Sequence, residues 1–366
     1  MFYYFYKFFY DPETTLSFLR IFRYLSVRSI GALITGFFIY LIIAPYFIRW
    51  LKRHHISDIN RDILQVDTSF KKGTPTMGGL LLLVSVIVSI LLWGNLLNRF
   101  TQFIIWSIIP FGLLGAYDDF LCIGDNQKIG LARKYKLLGQ IIFGLIIGII
   151  LLKWGSPFQQ DLRGTLWFPF VKSVNLYIGI AYIFWVAFVI TSMSNAVNFA
   201  DGLDGLAIVP VMTTMMVLGV FAYVLGNIKI ASYLQFTYIP NIGELIIPAA
   251  AILGAAAGFL WFNAYPAQIF MGDVGSITLG ALLGIFAILV KQELLLPIAG
   301  GIFLAEALSV LLQMVSIKFL GRRIIPMSPM HHSLQYRGQA EVKVVVRLWM
   351  ISAVLMIIGL SALKLR

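Results

Sequence analysis

Residues 77–120 read MGGLLLLVSVIVSILLWGNLLNRFTQFIIWSIIPFGLLGAYDDF, and only Arg99 is charged before the acidic pair Asp118 and Asp119. Two apolar runs, 77–97 and 102–121, flank a short polar turn. A membrane crossing takes about 20 mainly apolar residues. Inside lipid every backbone N–H and C=O must be satisfied by the protein itself, which leaves helices or closed barrels. These runs are continuous rather than alternating, so helices are expected.

The same pattern recurs at 29–50, 137–153, 176–193, 205–225, 244–262, 275–291, 294–317 and 344–363, which brings the apolar runs to ten. Of the 366 residues, 60% are hydrophobic and 12% charged. A soluble domain has about 45–50% apolar and about 25% charged residues. Lipid is therefore the solvent this chain is built for. The expected fold is all-α: a polytopic integral membrane bundle of ten transmembrane helices. With no internal repeat, low-complexity tract or linker, residues 1–366 are expected to form a single domain.

The start, FYYFYKFFYDPE, lacks the basic opening and small-residue exit of a cleaved signal peptide. Residues 1–28 read as an interfacial segment with aromatic rings at headgroup level. The single Cys122 excludes an intramolecular disulfide. The net charge of +12 comes from basic residues scattered between apolar spans, with no aromatic-interleaved stripe, which argues against nucleic acid as a partner. Ten crossings put both termini on one side and sort the loops into two sets. The loops at 51–76, 122–136, 194–204, 263–274 and 318–343, with positions 49 and 347, carry 16 of the 28 Lys and Arg. The positive-inside rule assigns that set to the cytoplasm and both termini to the periplasm.

That set also holds most of the polar chemistry: KKGTPTMGG (71–79), YDDF (117–120), NAVNFADGLDG (195–205), WFNAYPAQIFMGDVGS (261–276) and PMSPMHHSLQYRG (326–338). Asp118 and Asp119 are adjacent carboxylates that repel unless a cation or shared proton relieves them. With Asp273 they offer oxygen ligands of the kind Mg²⁺ takes alongside substrate phosphates; the plainer reading is a solvated helix end. Asn198, Asp201 and Asp204 recur every three residues, so each pair would share one face of a helix, and Gly202 and Gly205 let the backbone approach a ligand. A turn with Asx caps is the alternative there. GTPTMGG opens a helix whose N-terminus would favour anions, or Thr74 or Thr76 simply caps it. His331 and His332 have no adjacent third ligand for zinc and suit phosphate binding or acid–base chemistry, or face water in a turn. Glu306 lies in the ninth run, where an ionisable residue is a functional candidate. Its position in the run puts it near the end opposite the aspartates, outside the expected catalytic set.

Taken in order, KxGTPTMGG, the DD pair, NAVNxxDGLDGLA, NxxPAxxFMGDxGS and PMHH resemble the phospho-N-acetylmuramoyl-pentapeptide transferases of the polyprenyl-phosphate N-acetylhexosamine-1-phosphate transferase superfamily, from about Lys52 to the C-terminus. The resemblance implies a catalytic and Mg²⁺-binding set of Asp118, Asp119 and Asp273. It implies substrate-facing roles for Lys71, Thr76, Lys136, Asn198, Asp201 and Asn263, a uridine pocket of Gly202, Leu203, Asp204 and Phe270, and substrate binding by His331 and His332. The chain departs from the family pattern at Ser333, where a third histidine is usual, at Gln335 and Gln339, and at Leu121 and Cys122, where a basic residue often follows the acidic pair.

The implied reaction is attack of undecaprenyl phosphate on UDP-N-acetylmuramoyl-pentapeptide, giving lipid I and UMP at the cytoplasmic face of a bacterial inner membrane. A GlcNAc-1-phosphate transferase of another envelope polymer is the nearest alternative. A secondary transporter using Glu306 and the aspartates as ion relays is another, although transporter sites sit near the midplane and often in repeated halves. Small residues in the spans permit helix association, so a homodimer is compatible with the sequence.

Overall fold

The computed structural model describes residues 1–11, 15–54, 56, 73–122, 130–153, 155–171 and 175–364. A short helix α1 (Phe2–Phe9) and a 3-10 stretch (Thr15–Arg23) precede α2 (Leu25–Arg53), α3 (Gly78–Trp93), α4 (Arg99–Leu121) and α5 (Arg133–Leu152). A small antiparallel hairpin, β1 (Thr165–Trp167) and β2 (Asn175–Tyr177), leads into α6 (Ala181–Ala200). Then follow α7 (Ile208–Leu225), α8 (Ile228–Tyr233), α9 (Ile246–Asn263), α10 (Gly272–Leu289), α11 (Leu296–Ala299), α12 (Gly301–Leu320), α13 (Met330–Tyr336) and α14 (Glu341–Ser361). Among the described residues nine helices are long and apolar enough to cross a membrane, and α3 is a shorter apolar helix of 16 residues. The protein is an all-α polytopic membrane protein; nine of the ten apolar runs each correspond to one helix, and the ninth, 294–317, holds two, α11 and α12.

Helix α10 sits at the centre. It is apolar all round and buried over residues 274–289, as expected of a helix with protein on every side. It packs on α3, α4, α6 and α7. Without a hydrophobic force between helices in lipid, close approach through small residues does much of the packing. At the α3–α10 crossing a Cβ on Gly79 would lie 2.3 Å from the Cα of Gly275. The same segment closes the start of α3: Gly78 N donates to Phe270 O and Gly79 N to Met271 O, each at 2.8 Å. Neither Thr74 nor Thr76 caps the helix. The anion-favouring N-terminus expected at GTPTMGG is therefore closed by the protein's own carbonyls.

The loops divide as the alternation of spans requires. At one end the starts of α3 and α10 meet the ends of α4, α6 and α9. At the other, Lys291 donates to Thr165 O of the hairpin, Asn98 donates to Asn241 O, and Arg28 pairs in a two-point fork with Glu244. Asn98 also caps α4, its side-chain oxygen accepting from Phe100 N and Thr101 N.

The ninth run behaves differently from expectation. It is divided at Gly300 into α11 and α12. Gly359 of α14 packs on Ala299, Gly301 packs on Leu355, and Ile302 joins a small core with Val344, Val345 and Leu348. Gly300 lies against Met193, in the second half of α6, where a Cβ would meet Met193 Cε at 3.2 Å. Glu306 therefore lies at the same end as the aspartates, not the opposite one. Past Glu306, α12 exposes Leu308, Leu311, Leu312 and Phe319.

Candidate active site

Asp119 closes α4 onto α10. Its Oδ1 accepts from Asp273 N (2.9 Å) and its Oδ2 from Val274 N (3.0 Å). A carboxylate in that position satisfies two orphan donors of the first helical turn and complements the helix dipole. The contact leaves no room for side chains. A Cβ on Gly115 would lie 2.4 Å from Asp273 O, and one on Gly272 (φ 74°) would lie 2.5 Å from Asp119 Oδ2 and 3.0 Å from the Thr76 hydroxyl.

Asp118 faces the other way. Its Oδ1 accepts from Leu131 N (2.6 Å), and its Oδ2 accepts from the Lys136 ammonium (2.9 Å). The same ammonium donates to Asp273 Oδ2. Asn198 donates to Asp273 Oδ1 (2.7 Å) and to the Ser276 hydroxyl (2.9 Å), which in turn donates to Gly272 O. One oxygen from each of Asp118, Asp119 and Asp273 falls within 4.8 Å of the others. Three carboxylates against one ammonium leave negative charge uncompensated. Hard oxygen donors in that arrangement suit Mg²⁺. All three carboxylates could contribute an oxygen to it; Asp119 accepts from two backbone N–H groups, whereas Asp118 and Asp273 share the Lys136 ammonium. Just past α4, burial first and the Asp118 carboxylate second push the Cys122 thiol above its ordinary range. This keeps it protonated.

A second group of residues surrounds the turn after α6. Asp201 is the C-cap of α6, and the chain then turns through Gly205 (φ 73°) before α7. Asp201 and Asp204 therefore do not share a helix face, because the helix ends between Asn198 and Asp204. Asn263 is buried; its oxygen accepts from Gly205 N (2.9 Å) and its amide donates to Ile269 O (2.8 Å). Asp204 Oδ2 accepts from Ala267 N (3.0 Å), and Leu203 is buried in the small core. Asn263, Asp204 and Leu203 thus brace the turn from within, while Gly202 stays exposed. Half-buried Phe270 is strung between Pro75 O, to which its N–H donates, and Gly78 N. His331 is fully buried and its ring lies against Gly202, where a Cβ would meet Nε2 at 2.4 Å. His332 Nδ1 lies 3.0 Å from Gln335 Oε1.

The structure thus brings Asp118, Asp119, Asp273, Lys136, Asn198 and Thr76 together, with the Asp201–Gly205 turn reached from Asn198 at the end of α6. Lys71 lies outside the described residues. Four further residues belong to this region. Ser276 supports Asn198, and Glu341 Oε1 accepts from Asp204 N (3.1 Å). Trp349 donates to Gly205 O (3.0 Å), and Glu306 pairs with His331. Glu306 was legible as an ionisable residue inside an apolar run and Ser276 by its spacing three residues after Asp273; Glu341 and Trp349 carried no signal.

Two comparisons bear on this site. The family model for glycosyl transferase family 4 matches residues 101–291, from α4 through the end of α10. The phospho-N-acetylmuramoyl-pentapeptide-transferase signature 1 matches residues 71–83, the segment that closes the start of α3 against Phe270 and Met271.

Proposed function

The chain belongs to glycosyl transferase family 4, as a membrane phospho-sugar transferase, and from that premise we propose that it moves phospho-N-acetylmuramoyl-pentapeptide from its UDP carrier to undecaprenyl phosphate, releasing UMP and forming lipid I. The observation that carries the reading is the meeting of Asp118, Asp273, Lys136 and Asn198 beside the segment that bears the signature. The excess of Lys and Arg in the loops of this end supports a cytoplasmic site in a bacterial inner membrane, where both the soluble nucleotide and the lipid phosphate are within reach.

In this reading an oxygen of the lipid phosphate attacks the β-phosphorus of the nucleotide. The bond from that phosphorus to the bridging oxygen breaks, and UMP departs with the oxygen. A phosphate monoester has a second pKa of about 6, so the nucleophile is largely dianionic at neutral pH and needs little help from a base. Direct attack therefore suffices. The obstacle is bringing two anions together. Lys136 supplies a cation that can swing from the aspartates to the incoming phosphates. Asn198 fixes the orientation of Asp273, and Asp119 fixes the start of α10 that carries it. Mg²⁺, held by Asp118, Asp119 and Asp273, would neutralise charge on the diphosphate and stabilise the leaving phosphate. Holding both substrates at one helix-end cluster contributes orientation.

The test is purified protein with undecaprenyl phosphate and Mg²⁺, offered UDP-N-acetylmuramoyl-pentapeptide or UDP-GlcNAc, with UMP release followed. Release from the muramoyl substrate is expected. Release from UDP-GlcNAc alone would assign the chain to another envelope polymer.

A further inference from the structure

Glu306 is completely buried, and so is its partner His331. Its Oε2 lies 3.2 Å from His331 Nδ1 and 3.4 Å from His331 N. A carboxylate in a membrane helix is costly and persists where something depends on it. Glu306 is also the first of four buried polar residues on α12, with Ser309, Gln313 and Ser316. Spacings of three, four and three place them on one helix face. That face receives the chain as it turns back after α12. Ser316 donates to Arg322 O, Gln313 accepts from Ile325 N at 3.1 Å, and Glu306 meets His331. The returning segment thus follows about 15 Å of helix, at 1.5 Å per residue, and Glu306 fixes where it stops.

What it stops against is the turn after α6. The Nε2 edge of the His331 ring rests on Gly202; none of Glu306 Oε1, His331 Nδ1 and His331 Nε2 makes a hydrogen bond among the described residues, and Glu306 Oε2 meets Nδ1 at ion-pair distance. Leu203 and Leu206 of the turn pack with Ile302 of α12 and with Met330 and Leu334 of α13, so turn, α12 and α13 share one small core. We infer that Glu306 is a positioning residue: through His331 it sets the position of Gly202, and so the shape of the turn that receives the nucleotide. This rests on the reading above that the Asp201–Asp204 turn meets the uridine nucleotide. A purely structural pair would tie helices together without acting on that turn.

A double-mutant cycle separates the two. UMP affinity is measured by calorimetry on the detergent-solubilised full chain, its E306Q and H331Q variants and the double variant, with Mn²⁺ binding followed by electron paramagnetic resonance. E306Q and H331Q are each expected to weaken UMP roughly tenfold, the scale of coupling between contacting residues, with Mn²⁺ binding unchanged. The double variant is expected to be no weaker than H331Q alone. Should E306Q fold poorly, E306D, which keeps the charge and shortens the reach, is expected to give a smaller loss that H331Q again masks. Additive losses, or an E306Q chain that binds UMP normally, overturn the inference alone. An unaltered chain that binds no UMP overturns the nucleotide assignment of the turn, and the inference with it.

Discussion

Asp118 and Asp119 are neighbours, yet one holds a cation and the other holds a helix. Exchange for asparagine should tell them apart. In Asp119→Asn the new amide cannot accept from both Asp273 N and Val274 N, and a buried unsatisfied donor costs about 1–3 kcal/mol. The expected result is a melting temperature several degrees lower, together with lost turnover. Asp118→Asn can still accept from Leu131 N, so turnover should be lost with little change in melting. Equal melting temperatures for the two variants would contradict this division. Lys136 offers a second residue-level test, because its ammonium bridges two of the three aspartates proposed to hold the metal. Lys136→Met removes that competing cation. It should bind Mn²⁺ severalfold more tightly without substrate, as read by electron paramagnetic resonance, while transferring almost no phospho-sugar. Weaker Mn²⁺ binding would mean that Lys136 shapes the site rather than competing for it. The carboxylates were legible in the sequence as a cluster because they are uncompensated charges beside apolar spans. Their separate roles were not, since the backbone partners of Asp119 lie 154 and 155 residues away.

Helix contacts are governed by where small residues let backbones touch. Gly79→Ala would force α3 and α10 apart, because the new methyl would fall 2.3 Å from Gly275 Cα. A loss of about 1–3 kcal/mol is expected for such overpacking, seen as lower melting temperature and yield. Gly112→Ala is the control: its methyl would meet only Leu83 Cδ1 at 3.3 Å and the Thr278 hydroxyl at 3.9 Å, and its stability should stay near the original. Equal effects at both positions would refute the packing argument. Among the described residues, the nine helices long enough to cross and the shorter α3 could all be read from apolar runs alone. The division of the ninth run could not, because residues 294–317 stay apolar through Gly300, where α11 ends and α12 begins. The polar spacing Glu306, Ser309, Gln313, Ser316 was visible, but a polar stripe does not name what lies against it. The helix-face pairing of Asp201 with Asp204 failed for a simpler reason: Asp201 already ends α6, and the glycines that follow turn the chain.

Across the whole molecule, alternating spans return five polar segments to one end, and the family match and signature fall on the helices and loops that meet there. Such a layout suits a reaction between a water-soluble nucleotide and a lipid phosphate, whereas a transporter would place its acids near the midplane. Asp273 and its neighbours at this end are proposed to carry out phospho-sugar transfer. The most direct measurement places the purified chain, unaltered or as Asp273→Asn, in liposomes containing undecaprenyl phosphate and follows label from UDP-N-acetylmuramoyl-pentapeptide into the lipid fraction. Labelled lipid is expected from the unaltered chain and almost none from a folded Asp273→Asn protein. The proposed role of Asp273 would be contradicted by an Asp273→Asn chain that retains most of the transfer, or by an unaltered chain that makes no labelled lipid.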